Sequence, residues 1–434
     1  MDYQQAFEAK RRSADEAVAL IPDHSLIVQG MCVGEPPALL QAVADRARCG
    51  GLTDVRMTAL LPMGHSKRTI LAEDLRHAIH WESLFAGGAD RGLLAAGTAV
   101  YNPAYFHQIP RLVQEFMDVD VALVTVSRMD RHGYMSLGVS VDINKAAIAK
   151  ARVVLAEVNP QMPRAHGTGW VHISEVDAVV EHDTPILELP TPPEREEDRE
   201  MGRLIAEMIP DGATIQLGIG GVPNAVAKNL MQHRDLGIHT EMFVESMVDL
   251  IESGVANGSR KTFHPGKAIY SFAAGSRRMY EFLDDNPYVE AHPVSYTNFP
   301  PNIARNADMV SVNSTIEVDL TGQCCSESMG ATQYSGTGGQ HDYARGAFDA
   351  PGGKSVIAFY STAKAGTVSR VVPTLAPGAV VTTPRTEVHW VVSEYGAACL
   401  KGKSTRERAQ AMIGLAHPKF REGLTAAAHD LGYL

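Results

Sequence analysis

The chain has 434 residues, 45% of them hydrophobic and 21% charged, with a formal net charge of −11 at pH 7. This is the balance of a globular enzyme, and its acidic field argues against nucleic acid or an anionic membrane surface as a partner. No apolar run approaches the ~20 residues that span a bilayer, and residues 1–12 hold no apolar signal region, so a cytoplasmic protein is expected.

Ile21-Pro22-Asp23 leads into an apolar run, Leu26 to Gly30, that reads as a strand. A Gly/Pro-containing turn and an amphipathic helix over residues 38–43 follow. Further strands are read at 119–126 and 153–156. Residues 183–193 carry four prolines and run into a charged stretch ending at Glu200, a linker followed by a helix start. Domains are therefore expected over residues 1–190 and 191–434. The opening pattern then recurs: Ile209-Pro210-Asp211 precedes a strand over 213–217 and Gly218, at a constant offset of 188 residues. A glycine-rich turn, Gly218-Ile219-Gly220-Gly221-Val222-Pro223, leads to a helix over 224–230, and Thr240-Glu241 ends a second apparent strand. Strand-like runs return at 355–359, 379–382 and 390–392. Near-continuous apolar runs alternating with helices mark sheets buried on both faces. The expected fold is α/β: two similar open domains with mainly parallel sheets and an active site in the cleft between them.

Strand, glycine turn and helix together bare backbone N–H groups for a phosphate or a developing oxyanion. A phosphate cradle would add lysine; the nearby Glu241 points to a nucleophile or base instead. A second glycine loop, Tyr334-Ser335-Gly336-Thr337-Gly338-Gly339-Gln340, continues into His341-Asp342-Tyr343-Ala344-Arg345. Ser393-Glu394-Tyr395-Gly396 and Leu415-Ala416-His417-Pro418 follow; earlier come Asp130 to Asp142 and Ala156-Glu157-Val158-Asn159. In this order the motifs resemble, essentially end to end, the family I coenzyme A transferases. The nearest branch is the acetyl-CoA hydrolase/transferase group that includes 4-hydroxybutyrate and itaconate CoA-transferases.

The resemblance implies that Glu241 is the catalytic nucleophile and that Gly218, Gly220, Gly221, Gly338, Gly339 and Gln340 contact CoA or an oxyanion; Asn313 and Glu394, the latter in a segment that matches the family, are candidates to orient the substrate or the nucleophile. It implies CoA as a cosubstrate rather than a resident cofactor, small carboxylates as the other substrate, and a homodimer or higher homo-oligomer. Glu245 is the local rival to Glu241. His341 and His389 are candidate bases. Arg68 and Arg345 are candidates for a second substrate carboxylate. For the CoA nucleotide, the basic pairs Lys67-Arg68, Arg260-Lys261, Arg277-Arg278 and Lys401/Lys403 come into question. An acyl-CoA hydrolase is the alternative enzyme, and a CoA-binding module without chemistry a third reading.

Other classes are disfavoured. No Gly-x-Ser-x-Gly elbow occurs, and neither a dinucleotide fingerprint nor a P-loop is spelled out. The five cysteines (Cys32, Cys49, Cys324, Cys325, Cys399) lack zinc-ligand spacing, so reduced thiols and no metal site are expected.

Overall fold

The apolar runs become parallel strands whose residues are buried almost without interruption, as coverage of both sheet faces requires. The computed structural model describes residues 2–190 and 193–434; Met1 falls outside, as do Thr191 and Pro192 of the proline-rich stretch. The chain forms two units, Met1–Pro190 with Ile269–Thr297, and Thr191–Ala268 with Asn298–Leu434. Where one boundary near residue 190 was expected, residues 269–297 return to the first unit. Long-range pairing holds them there: Val289–Ala291 runs parallel to His166–Gly167, and the Val141 N–H donates to the Ser271 carbonyl at 3.2 Å.

The first unit holds a seven-stranded, all-parallel sheet. Its strands are β1 (Leu26–Gln29), β2 (Val55–Leu60), β3 (Ile79–Phe85), β4 (Val100–Tyr101), β5 (Val121–Val126), β6 (Val153–Val158) and β7 (Ala178–Glu181). They lie in the order β7-β6-β5-β1-β2-β3-β4. Helix α1 (Pro37–Arg48) follows β1 and buries Leu39, Leu40, Val43, Ala44 and Ala47, the stripe that a 3.6-residue period puts on one face.

The second unit holds β8 (Thr214–Leu217), β9 (Gly237–Ile238), β10 (Met309–Ser314), β11 (Lys354–Ala358), β12 (Trp390–Ser393) and β13 (Gly396–Cys399). Their order is β9-β8-β10-β11-β12-β13, parallel except for β13. The helices that bear on the site are α2 (Glu196–Ala206), α3 (Gly221–Asn229), α4 (Glu245–Glu252) and α5 (Gln340–Asp349). Helices α2 and α3 pack so closely that a Cβ on Gly202 would come within 2.7 Å of the Ala225 backbone.

The sequence repeat is a structural one. β1 and β8 each lie between the next strand in the chain (β2, β9) and a later one (β5, β10), with β6, β7 and β11, β12 outward in the same order. Gly30 directly follows β1, and Gly218 directly follows β8.

Local differences from the sequence reading have physical causes. The helix expected from 224 begins at Gly221, because Pro223 is tolerated in a first turn where its missing N–H is not needed. β9 stops at Ile238, so Thr240 and Glu241 lie beyond it. Residues 379–382 form no strand; Val380 and Val381 are both exposed, and the N–H groups of Val380 and Thr382 go to the Ser328 hydroxyl and the Cys324 carbonyl. β9 is an edge strand, and the buried Lys261 ammonium donates to its Ile238 carbonyl at 2.8 Å and to the Lys267 carbonyl at 2.6 Å. The five cysteines are free thiols. Among the described residues no helix is long and apolar enough to cross a membrane.

Candidate active site

In the second unit Ile215 of β8 pairs with Ile238 of β9. Gly218 and Glu241 each stand three residues past that pair, so both leave the sheet at its carboxyl-terminal edge. The chain runs from β8 out to β9 and returns on the other side of β8 to β10. Such a reversal opens a crevice at the strand ends, where open α/β sheets take their ligands. Asn313, near the end of β10, faces β8 there, its Nδ2 donating to Gln216 Oε1 at 3.1 Å.

The Glu241 carboxylate is gripped from two sides. Asn298 Nδ2 donates to Oε2 at 2.5 Å, and the Gly339 N–H donates to the same carboxylate. Gly339 is the N-cap of α5, so the carboxylate meets the positive end of a ten-residue helix. The approach is possible because residue 339 has no side chain: a Cβ there would overlap Glu241 Oε2 and Asn298 Nδ2. Part of the Glu241 residue reaches the surface, yet its carboxyl is enclosed. Burial pushes its pKa up to about 8, and the nearby Asp342 charge adds to the rise, while the Asn298 and Gly339 hydrogen bonds oppose it. A carboxylate raised in this way is a stronger base and nucleophile than one in water, and its two donors can hold the charge that develops on a carbonyl formed from it.

The other expected residues divide. Gly220 is the N-cap of α3, with φ of 127°, a conformation that L side chains rarely adopt. Ile219 beside it is 58% exposed, so the turn is open to a ligand. Gly221 is small for another reason, since Asp198 occupies the space of its missing side chain. Gly338 adopts φ of 55° and delivers Gly339 to Glu241. The Gln340 side chain is spent on the protein: its oxygen accepts from the Ser326 hydroxyl at 2.6 Å and the Thr383 hydroxyl at 3.3 Å, and its nitrogen donates to the Ser314 carbonyl at 2.6 Å. Glu394 stands further along the same edge, beyond β12, and accepts from the Ser361 N–H at 3.0 Å and the Ser361 hydroxyl at 2.5 Å. Glu245 opens α4. His389 precedes β12 and so lies at the opposite, amino-terminal edge; burial, aided by the charges of Lys401 and Lys354, takes its pKa down to about 4. His341 is the second residue of α5. Arg345 is paired with Asp349 and Glu387.

Two residues beside the Glu241 carboxylate were not singled out from the sequence. Asn298 lies in Tyr296-Thr297-Asn298-Phe299, which carries no motif. Asp342 was visible inside the second glycine-loop motif, and its place in the first turn of α5, on the helix that Gly339 caps, was the available signal.

Residues 1–189 match the acetyl-CoA hydrolase/transferase N-terminal domain, and residues 275–428 match the C-terminal domain of the same family. The chain belongs to the acetyl-CoA hydrolase/transferase family. It is a CoA-transferase, an enzyme that moves coenzyme A between carboxylic acids. Its relatives include the succinyl-CoA:cyclohexane-1-carboxylate CoA transferase of Geobacter metallireducens, 45% identical over 99% of this chain and 97% of that protein. The 4-hydroxybutyrate coenzyme A transferase of Clostridium kluyveri is 45% identical over 98% of each chain. The crystal structure of RipA from Yersinia pestis matches this CoA-transferase with a TM-score of 0.97 at 43% identity, covering all of both chains.

Proposed function

We propose that this CoA-transferase moves CoA from a short acyl-CoA, succinyl-CoA or acetyl-CoA, to a small carboxylate of the itaconate or 4-hydroxybutyrate type, through a thioester on Glu241. A free Glu241 oxygen attacks the acyl-CoA carbonyl; the carbon–sulfur bond breaks, leaving an acyl–glutamyl anhydride and CoA thiolate. The thiolate attacks the glutamyl carbonyl and expels the first acid, leaving a glutamyl–CoA thioester. An incoming carboxylate runs the same steps backwards and departs as the new acyl-CoA. A glutamyl thioester keeps the free energy of the original bond, which a serine ester would lose.

The observation that carries this reading is the Glu241 carboxylate enclosed at the start of α5, with Asn298 and Gly339 donating to it. As the thiolate adds to the glutamyl carbon, negative charge gathers on the remaining oxygen, which is where those donors already point. The 4-hydroxybutyrate relative supports a small acceptor acid. Transfer is favoured over hydrolysis because the relatives matched over nearly the whole chain at 45% identity are both named as CoA transferases. The enzyme is further read as a cytoplasmic homodimer or higher homo-oligomer, to be checked by sedimentation.

The test is trapping. Incubation with acyl-CoA and no acceptor should leave CoA covalently attached to the peptide bearing Glu241, released again by an added carboxylate. An adduct on Glu245, or none on a protein that turns over normally with acceptor, would overturn the assignment.

A further inference from the structure

Most basic pairs offered by the sequence for the CoA nucleotide are occupied. Lys261 is buried against the edge strand, Arg277 pairs with Glu281, Lys403 pairs with Glu407, and Lys401 donates to the Thr386 carbonyl. Arg195 and Arg370 are different. Both guanidiniums lie by the ring of Tyr360, with their carbons 5.2 Å and 5.8 Å from its centroid. Neither has a carboxylate within ion-pair distance among the described residues. Asp198, beside them, is engaged by the Tyr360 hydroxyl at 2.6 Å and the Arg195 N–H at 2.8 Å. Glu394 is turned to Ser361. Arg370 makes two long contacts, to the carbonyls of Thr315 at 3.5 Å and Ile316 at 3.3 Å, and its Nε is buried with no acceptor. Burial works most against its protonated form and the neighbouring Arg195 charge adds to this, while Tyr360, Tyr334 and Glu394 offset part of it. Two cations gathered on one ring with no carboxylate at ion-pair distance are a site suited to an anion, and planar guanidiniums suit phosphate oxygens in particular.

We propose that Arg195 and Arg370, gathered on Tyr360, form the subsite that takes the phosphate groups of CoA. Position separates this from the other anion at hand, the second carboxylate of a dicarboxylic acid. Tyr360 leaves the sheet two residues past β11, at the same edge as Glu241. β11 lies three strand spacings from β9, which puts Tyr360 roughly 14 Å along that edge from Glu241. The two carboxyl carbons of a four-carbon diacid are separated by three carbon–carbon bonds, about 4 Å, too short to span the gap. The extended pantetheine arm of CoA, with about a dozen bonds, reaches on the order of 15 Å. The open turn at Gly218 to Gly221 lies along the route, joined to Tyr360 through Asp198.

The inference rests on the proposed reading of Glu241 only in taking CoA to bind at this edge. Binding is therefore measured without turnover, in the Glu241→Gln enzyme, by calorimetric titration with CoA and with pantetheine, which lacks the phosphates. Arg195→Ala, Arg195→Glu and Arg370→Gln should each weaken CoA binding by about tenfold or more, the charge reversal most, and leave pantetheine binding unchanged. The exposed Arg195 gives a variant whose folding is not at issue, and a thermal melt checks Arg370→Gln. Unchanged CoA affinity in the folded variants, or equal losses for CoA and pantetheine, overturns the proposal. So does a loss confined to the KM of a dicarboxylic acid in the parent enzyme, which would give the arginines to the acid. Failure of the Glu241 reading would show separately, as transfer that survives Glu241→Gln.

Discussion

Glu241 Oε2 occupies the space that a β-carbon on Gly339 would fill. The Glu241 carboxylate and the helix end that receives it are therefore matched to within one carbon atom. Gly339→Ala should push the carboxylate out of its seat and break the contact with Asn298. A misplacement of about 1 Å can cost on the order of a hundredfold in rate. The expected result is that loss in kcat/KM with cooperative unfolding retained, read by steady-state transfer assays and a thermal melt.

Glu241→Gln keeps the size of the side chain and removes the anionic nucleophile. Transfer should fall by several powers of ten, each about 1.4 kcal/mol of barrier. Glu241→Asp draws the carboxylate back by one methylene and should lose on the order of a hundredfold. Glu245→Gln, at the start of α4, should stay near wild type. Comparable losses at both positions would show that Glu241 has no special role.

The pH dependence follows from the enclosed carboxyl. With a pKa pushed up to about 8, Glu241 is mostly protonated near neutrality and gains its nucleophilic form as the pH rises. The single-turnover rate of thioester formation should climb with pH and level off above about 8. Stability moves the other way. The folded protein holds this proton more tightly than the unfolded chain does, so the contribution is full below the ordinary value of 4.5 and is lost as the pH rises through about 8. Relative to Glu241→Gln, the wild-type melting temperature should fall across that window.

Two neighbours should move the profile in opposite directions. Asn298→Ala removes a donor that favours the charged form, so the rise should shift to higher pH and the rate at neutrality should drop by about tenfold. Asp342→Asn removes a like charge, so the rise should shift to lower pH. Shifts of the same sign in both variants, measured as single-turnover rate against pH, would mean that something other than this carboxyl titrates.

Gly202→Val tests the support beneath the glycine turn. Its side chain would drive α2 away from the Ala225 backbone of α3, the helix that the turn opens. Overpacking of this kind costs about 1–3 kcal/mol. Denaturant melts should show that loss, and kcat/KM should fall with it if the turn contacts substrate.

Much of this was legible in the sequence. The offset between Gly30 and Gly218 announced two similar α/β units, because a repeated strand–turn–helix unit repeats its packing. Glu241 and Gly339 were legible because each sits in a local motif. Asn298 was not, since its role depends on where a distant stretch of chain arrives and no spacing marks it. The same holds for residues 269–297, whose place in the first unit is set by pairing with strands more than a hundred residues earlier. Val380 and Val381 misled for the opposite reason: β-branched residues favour strands, but here, between Gly378 and Pro384, the backbone groups are taken by Ser328 and Cys324.

The lysine beneath the edge strand has one more consequence. A sheet margin leaves carbonyls that could recruit another strand, and such margins invite unwanted association. Here an ammonium group takes one of them, at Ile238, three residues before Glu241. The end of the sheet is closed by a charge rather than by more polypeptide, so the chain can turn away at once and carry Glu241 to the rim. A longer edge strand would have exposed more of that margin and kept residues 239–241 in the ladder, away from the rim.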